Sequence, residues 1–386
     1  MELQISKRDF LRGLARTYGV ADRKSSMPIL SNVLLRTEGD GALRLATTDL
    51  YLGGTAAAPA KVVEPGSIAV AARTLFDIVK NLPEGDVSLE ESEHERVEIR
   101  CGKVRYAVPS LPGEDFPLLP NPGEAEFARV PAEALGELIT LTQYSISSDD
   151  TRPHLASALF EGQGEVLRMV TTDGHRLSKA EHTVPNGAFG FSMLVPHKGV
   201  GELRRFIDDV KSRAGRTGGD AQDEALEAEP PTVEVAAQSG NAFFRHGDAS
   251  LSVKLVDEQF PPYAKVIPHS HQRRVVLARE RLVEALRRIG LVADPKSGGV
   301  QLHFEAGVLR ILSQNQDVGE GREELDVDYD GDKLAIGFSV RYLLDVLGAL
   351  THDEVALELS GPIDPGAIKP VGEGVEFVGV IMPMRI

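Results

Sequence analysis

The sequence has one cysteine, no tryptophan and few aromatic residues, 5% of 386. A single thiol, Cys101, excludes an internal disulfide framework and a cysteine-rich zinc site, and it points to a reducing cytoplasm. So few rings exclude an aromatic platform for stacking bases. No apolar run approaches a membrane span. The opening MELQISKRDF is charged at once and lacks the apolar core of a secretion signal. Positive charge is also scarce. Forty-two Lys and Arg stand against 58 Asp and Glu, a net charge of −16, which as an average argues against nucleic-acid binding. There is no Gly-x-x-x-x-Gly-Lys-Ser/Thr phosphate loop, and Gly199-Val-Gly201 is too short for a dinucleotide fingerprint. The ten histidines lack His-Glu-x-x-His spacing, so no metal and no cofactor is expected. Asp326-Val-Asp-Tyr-Asp330-Gly-Asp332 opens like a calcium loop, but Gly337 stands where a bidentate Glu is needed. A strand ending in an Asp-Gly hairpin is the better reading.

What the sequence does contain is a repeat. Leu43-Arg-Leu-Ala-Thr-Thr-Asp49, Leu167-Arg-Met-Val-Thr-Thr-Asp173 and Leu309-Arg-Ile-Leu-Ser-Gln-Asn315 read alike, each a strand running into a polar turn. Glu114-Asp-Phe-Pro117 parallels Glu258-Gln-Phe-Pro261, and Val70-Ala-Ala-Arg73 parallels Val195-Pro-His-Lys198. The changing offsets put an insertion late in the second unit. Its candidate is the Gly-, Ala- and acid-rich run 214–230, read as an exposed loop. Each third opens with a strand and an amphipathic helix, over 7–18, 132–144 and 279–290, and carries a second such pair, with helices over 73–81, 198–210 and 339–350. Each third therefore holds two strand–helix–strands units. Turn-rich stretches near 121–123 and 269–271 divide the chain into 1–122, 123–269 and 270–386. Helices on one side of mostly antiparallel strands give an α+β fold.

The positive charge gathers on helices. Lys7, Arg8, Arg12, Arg16, Arg23 and Lys24 belong to the first helix and the loop after it. Lys198, Arg204, Arg205, Lys211 and Arg213 belong to the second helix of the middle third. Arg279, Arg281, Arg287 and Arg288 belong to the first helix of the last third. One such helix is usually a solvated face. Recurrence in all three thirds suggests a basic surface for backbone contact with no base-reading device.

Five stretches in order carry a family resemblance across nearly the whole chain. They are Met27-Pro-Ile-Leu-Ser-Asn-Val-Leu-Leu35, Ser110-Leu-Pro-Gly-Glu-Asp-Phe-Pro117, Thr171-Thr-Asp-Gly-His-Arg-Leu-Ser178, Phe338-Ser-Val-Arg-Tyr-Leu-Leu-Asp-Val-Leu347 and Val380-Ile-Met-Pro-Met-Arg-Ile386. Together they resemble the β sliding clamps of bacterial DNA polymerase III. The resemblance implies the DNA clamp fold, with three similar domains of two βαβββ units each. It implies a non-catalytic processivity factor that closes with a second copy, head to tail, into a ring around duplex DNA. The helices would line the hole, and topology rather than tight binding would hold the ring.

The same resemblance assigns sites. A groove would receive short linear peptides of the polymerase III alpha subunit, the clamp loader delta subunit, other polymerases and repair proteins. Its residues would be Leu155, Thr172, Gly174, His175, Arg176, Leu177, Pro261, Val266, Tyr342, Ile363, Val380, Met382, Pro383, Met384 and Arg385. Apolar walls with a few polar groups suit that work. Arg23, Lys24, Arg152, Lys7, Arg12, Arg204, Arg205, Lys211, Arg279, Arg287 and Arg288 would face DNA. The homodimer joint would set Arg96, Lys103 and Arg105 against Glu320, Glu323 and Glu324, with Tyr106 and Val108 packed on Leu291 and Val292. Lys265, Ser297 and Ser339 depart from common family residues and bear on peptide preference. Taken without the resemblance, Thr172-Asp-Gly-His-Arg-Leu177 reads as a structural turn, a binding site or an Asp173/His175 catalytic pair. The competing function is then a repeat enzyme using His175, Asp173 and Arg176, although no Gly-x-Ser-x-Gly elbow supplies a nucleophile.

Overall fold

The computed structural model describes residues 1–386 other than 40, 93, 218–229, 269, 296 and 386. Most of the expected insert, and the boundary at 269, lie outside the described residues. Six helices occur among the described residues: α1 Lys7–Thr17, α2 Ala72–Asn81, α3 Ala132–Thr142, α4 His197–Thr217, α5 Arg279–Ile289 and α6 Val340–Ala349. Each follows directly on a strand. Their starts match the sequence pattern because the apolar spacing begins there. In α5, Leu282, Val283, Leu286 and Ile289 are buried while Arg281, Arg287 and Arg288 are exposed. Ser6 caps α1 by accepting the Asp9 N–H at 3.1 Å, and the Ser339 side chain caps α6. Helix α4 runs to Thr217, past the end expected near 210, because apolar spacing does not register the polar turn beyond Val210. None of the described helices is long and apolar enough to cross a membrane.

Packing divides the chain into two units, Met1–Glu133 with Lys198–Leu255, and Ala134–His197 with Val256–Ile386. The middle third is therefore shared between them. The cause is strand pairing across the repeat boundaries. In the first unit Leu52–Pro59 pairs with Ala249–Lys254, extending one sheet to thirteen strands. In the second, Arg176–Thr183 pairs with Glu376–Ile381 in an eight-stranded sheet, beside a separate four-stranded sheet. All the strand pairs described are antiparallel.

The three look-alike segments are equivalent strands, Ala42–Thr48, Val166–Thr172 and Val308–Asn315, each the second arm of a hairpin. The Asp-Gly hairpin expected at 330–331 does not form. Strand Gly319–Asp326 lies at one edge of the four-stranded sheet and Leu334–Ser339 at the other. The chain between them crosses the sheet, with Tyr329 buried against Phe304 at 6.0 Å between ring centroids.

Candidate functional site

The turn after Thr172 is built by side chains acting on backbone. Thr172 Oγ1 donates to the Arg176 carbonyl at 2.6 Å and accepts the Gly174 N–H at 3.1 Å. Asp173 Oδ1 accepts the N–H groups of His175 and Arg176 at 2.9 and 3.1 Å. This is the Asx-turn logic that makes Asp and Thr frequent in turns. Gly174 takes φ +90°, where a side chain is disfavoured. The other Asp173 oxygen binds Arg176 Nε at 3.0 Å. Asp173 thus orients a turn and an arginine, and no Asp173–His175 side-chain pair is formed.

Arg176 is the charged centre, and it is buried. Nη1 reaches Asp345 Oδ2 and Nη2 the Tyr144 carbonyl, each at 2.5 Å. Its guanidinium lies 4.4 Å from the Tyr342 ring centroid and 5.4 Å from that of Tyr144. A buried cation needs such partners, since desolvation alone would expel it. Burial pushes the phenols of both Tyr144 and Tyr342 upward from their ordinary value.

Beside Arg176 opens a cleft of about 210 Å³. Its walls include Leu155, Thr172, Gly174, Arg176, Leu177, Pro261, Val266, Val380 and Met382. Leu155, Leu177 and Val380 are buried and form its floor, whereas Val266 and Met382 are over 40% exposed at its rim. The other six expected groove residues do not line it. His175 gives its carbonyl to the Met382 N–H at 2.9 Å, and Met384 donates its N–H to the Gly337 carbonyl at 2.9 Å. Tyr342 reaches the cleft only through Arg176, and Ile363 is widely exposed. Pro383 and Arg385 are also absent from the lining. Two lining residues were missed by sequence reasoning, His154 and Tyr263. A signal existed: Pro153-His-Leu155 parallels Pro28-Ile-Leu30, with histidine in place of an apolar residue.

The cations expected to face DNA divide sharply. Lys7 binds Glu84 at 2.8 Å, Arg12 binds Asp9 at 2.8 Å and Lys211 binds Glu133 at 2.6 Å. Arg204 and Arg205 pair along α4 with Asp208 and Glu202, and Arg152 pairs with Asp149. Arg279 donates to the His352 and Leu347 carbonyls at 2.9 and 3.3 Å, satisfying the end of α6. Arg16 is buried between Asp209 at 3.0 Å and Asp248 at 2.9 Å, so it holds the fold together and presents no charge. Arg23, Lys24 and Arg287 are exposed. Arg288 meets Glu323 in a two-pronged pair at 2.9 and 2.6 Å, joining two residues that sequence reasoning gave to different sites. That contact with the Arg288 guanidinium holds the Glu323 carboxyl below its usual range.

Among the strand edges left open in the described residues are two in the regions expected at the joint. Residues 104–109 pair only with Arg96–Cys101, since pairing with Ser67–Ala71 begins at Ser110. Gly319–Asp326 has a partner on one side only. Glu98 binds both Arg100 and Arg105, Arg96 donates to the Ala107 carbonyl at 2.9 Å, and Glu324 binds Arg310 and Arg322. Tyr106 is 40% exposed and Leu291 80%.

Models of the DNA polymerase III beta subunit match in sequence order: its N-terminal domain at residues 1–120, its central domain at 129–262 and its C-terminal domain at 264–385. The chain belongs to the DNA polymerase III beta-subunit family. The beta sliding clamp of Caulobacter vibrioides is 35% identical over 394 residues, and that of Escherichia coli K12 34% identical over 388, each with 100% of both chains covered. Among solved structures, the Caulobacter crescentus sliding clamp superposes with TM-score 0.90 at 32% identity, covering 100% of both chains. The DNA polymerase III beta subunit of Pseudomonas aeruginosa gives 0.88 at 31%, again with 100% of both covered. The beta subunits are non-catalytic processivity factors of DNA replication. Membership accounts for an Asp173 committed to the backbone of its turn, and it sets aside the repeat-enzyme reading.

Proposed function

We propose that the cleft beside Arg176 receives short linear peptides of the replicative polymerase alpha subunit, the clamp loader delta subunit and other polymerases and repair proteins. The observation that carries this reading is the convergence of nine residues, drawn from four separate stretches of sequence, on one small apolar cleft with a buried cation at its side. Apolar walls anchor hydrophobic side chains, and Met382 adapts to several of them. His175, Tyr342, Ile363, Pro383, Met384 and Arg385 would extend the same groove beyond this cleft.

The larger assembly is part of the same proposal. Three domains, 1–122, 123–269 and 270–386, would close with a second copy as a head-to-tail homodimeric ring around duplex DNA. The open edges at 104–109 and Gly319–Asp326 are unlike surfaces, as a heterologous joint requires. Tyr106, Val108, Leu291 and Val292 offer the apolar contact. Lys103 and Glu320 would add charge at its margin. Arg23, Lys24 and Arg287 are the foremost candidates for phosphate contact. The work would take place in the cytoplasm, where a single free thiol is at home.

The test joins two measurements. Native mass and particle averaging should show two chains and a hole wide enough for a duplex; a solid particle would sink the ring. Val266→Asp with Met382→Asp puts charge at two exposed rim positions without touching the core. It should weaken binding of a fluorescein-labelled polymerase tail peptide at least tenfold, and unchanged affinity would mean that the peptide docks elsewhere.

A further inference from the structure

One wall of the cleft is a strap. Residues 256–268 carry Pro261, Tyr263 and Val266 to the cleft but form no strand, only the single turn Tyr263–Lys265. The Val256 N–H donates to the Leu194 carbonyl at 3.0 Å and fixes the start. Phe260, Tyr263 and Ile267 rest on an apolar cluster that includes Leu159, Val170 and Leu177. Two side-chain tethers follow. At the inner one, the Tyr263 hydroxyl lies between Arg168 Nη1 at 3.2 Å and Glu161 Oε2 at 3.3 Å, both on the sheet. At the outer one, Glu258 Oε2 lies 2.6 Å from Nδ1 of His154, which itself lines the cleft. His154 stands beside Leu155 of the floor, so this pair ties the strap to the segment that carries the floor.

We infer that the His154–Glu258 pair is a positioning device that holds the strap at the width a docked peptide needs. The inference rests on the peptide reading of the cleft. With the carboxylate accepting from Nδ1–H, the imidazole ring is fixed and the strap is joined to the loop before Ser157. Releasing either partner frees the strap to move, and only the fraction of molecules with the wall in place binds. Both side chains are about a third exposed or more, so the effect is that of a partly solvated pair, about two- to fivefold in affinity.

The experiment uses the full chain and a fluorescein-labelled tail peptide of the cognate replicative polymerase, followed by anisotropy and stopped flow. His154→Ala and Glu258→Ala should each weaken binding about two- to fivefold, chiefly through slower association. The double variant should be no worse than either single one, since both remove the same tether. Glu258→Gln, which keeps an acceptor for Nδ1–H, should retain most of the affinity, and melting temperatures should hardly move. Loss in His154→Ala with none in Glu258→Ala would make His154 a direct peptide contact and overturn the tether. Additive losses would overturn it as well. Unchanged affinity in both single variants, with the wild type binding, would overturn the tether alone. Failure of the wild type to bind would remove the peptide reading and this inference with it.

Discussion

Turns 48–52 and 172–176 close through the same bonds and then diverge in what they present. Thr48 Oγ1 donates to the Leu52 carbonyl at 2.6 Å, and Asp49 Oδ1 accepts the Tyr51 and Leu52 N–H groups at 2.9 and 2.6 Å, as Thr172 and Asp173 do in the second repeat. Even the strand alongside agrees: Lys254 N–H donates to the Tyr51 carbonyl at 2.8 Å, as Met382 does to His175 at 2.9 Å. The differences lie in side chains at matched positions. Leu50 takes a left-handed φ of +74° where Gly174 takes +90°. Leu52 is buried where Arg176 is, and Asp49 finds its cation in Lys198. Ile29 is buried with Leu30 and Phe116, whereas its counterpart His154 is polar and tied to Glu258. The backbone therefore fixes the turn, and three side chains decide whether the surface beside it is filled or left as a cleft.

That contrast can be broken by mutation. The largest effect should come from Arg176→Ala, which leaves Asp173 without its cation and Asp345 with only Arg341 at 3.8 Å. A loss of about 3–5 kcal/mol in urea unfolding is expected, against a smaller one for Lys198→Ala, whose side chain is more than half exposed. Next comes Ile29→Ala. It opens a cavity in a packed cluster and should cost about 2–4 kcal/mol, while His154→Ala at the matched position should cost under about 1 kcal/mol by the same assay. The smallest effect concerns the third residue of each turn. Gly174→Ala should destabilise by about 1 kcal/mol, and Leu50→Gly should be neutral or slightly stabilising, because only the first introduces a side chain into a left-handed conformation. Equal penalties at the two turns would show that their backbones are not equivalent after all.

Much of this was legible in advance. Amphipathic spacing gave the six helix starts, because buried Leu and Ile recur every three or four residues. The Thr-Asp pairs ending these strings marked the repeat because their side chains bond to backbone within four residues, a range that sequence displays, whereas Thr47 and Thr171 before them reach the distant Thr17 and Thr142 carbonyls. What escaped was long-range. Arg16 and Arg279 look like surface charge until Asp209, Asp248 and the end of α6 come up to them. The supposed hairpin at Asp330-Gly331 failed because no local signal tells that the chain leaves one sheet edge for the other. Tyr342 and Met384 were expected in the cleft lining, yet the second gives its N–H to Gly337 and the first stacks on Arg176. His154 was passed over because its partner, Glu258, lies 104 residues away.

Most of the acids and bases along these two strand edges are paired within the chain, Arg105 with Glu98, Glu323 with Arg288, and Glu324 with Arg310 and Arg322. A second copy meeting these edges would feel little net field from them. Its grip would come from backbone pairing and from Tyr106 and Leu291, neither of which small ions screen. Contact with a phosphate backbone behaves in the opposite way, since it gains by releasing counterions. Added potassium chloride would therefore loosen any hold on DNA steeply while leaving the joint between copies almost untouched, and one titration would tell the two surfaces apart.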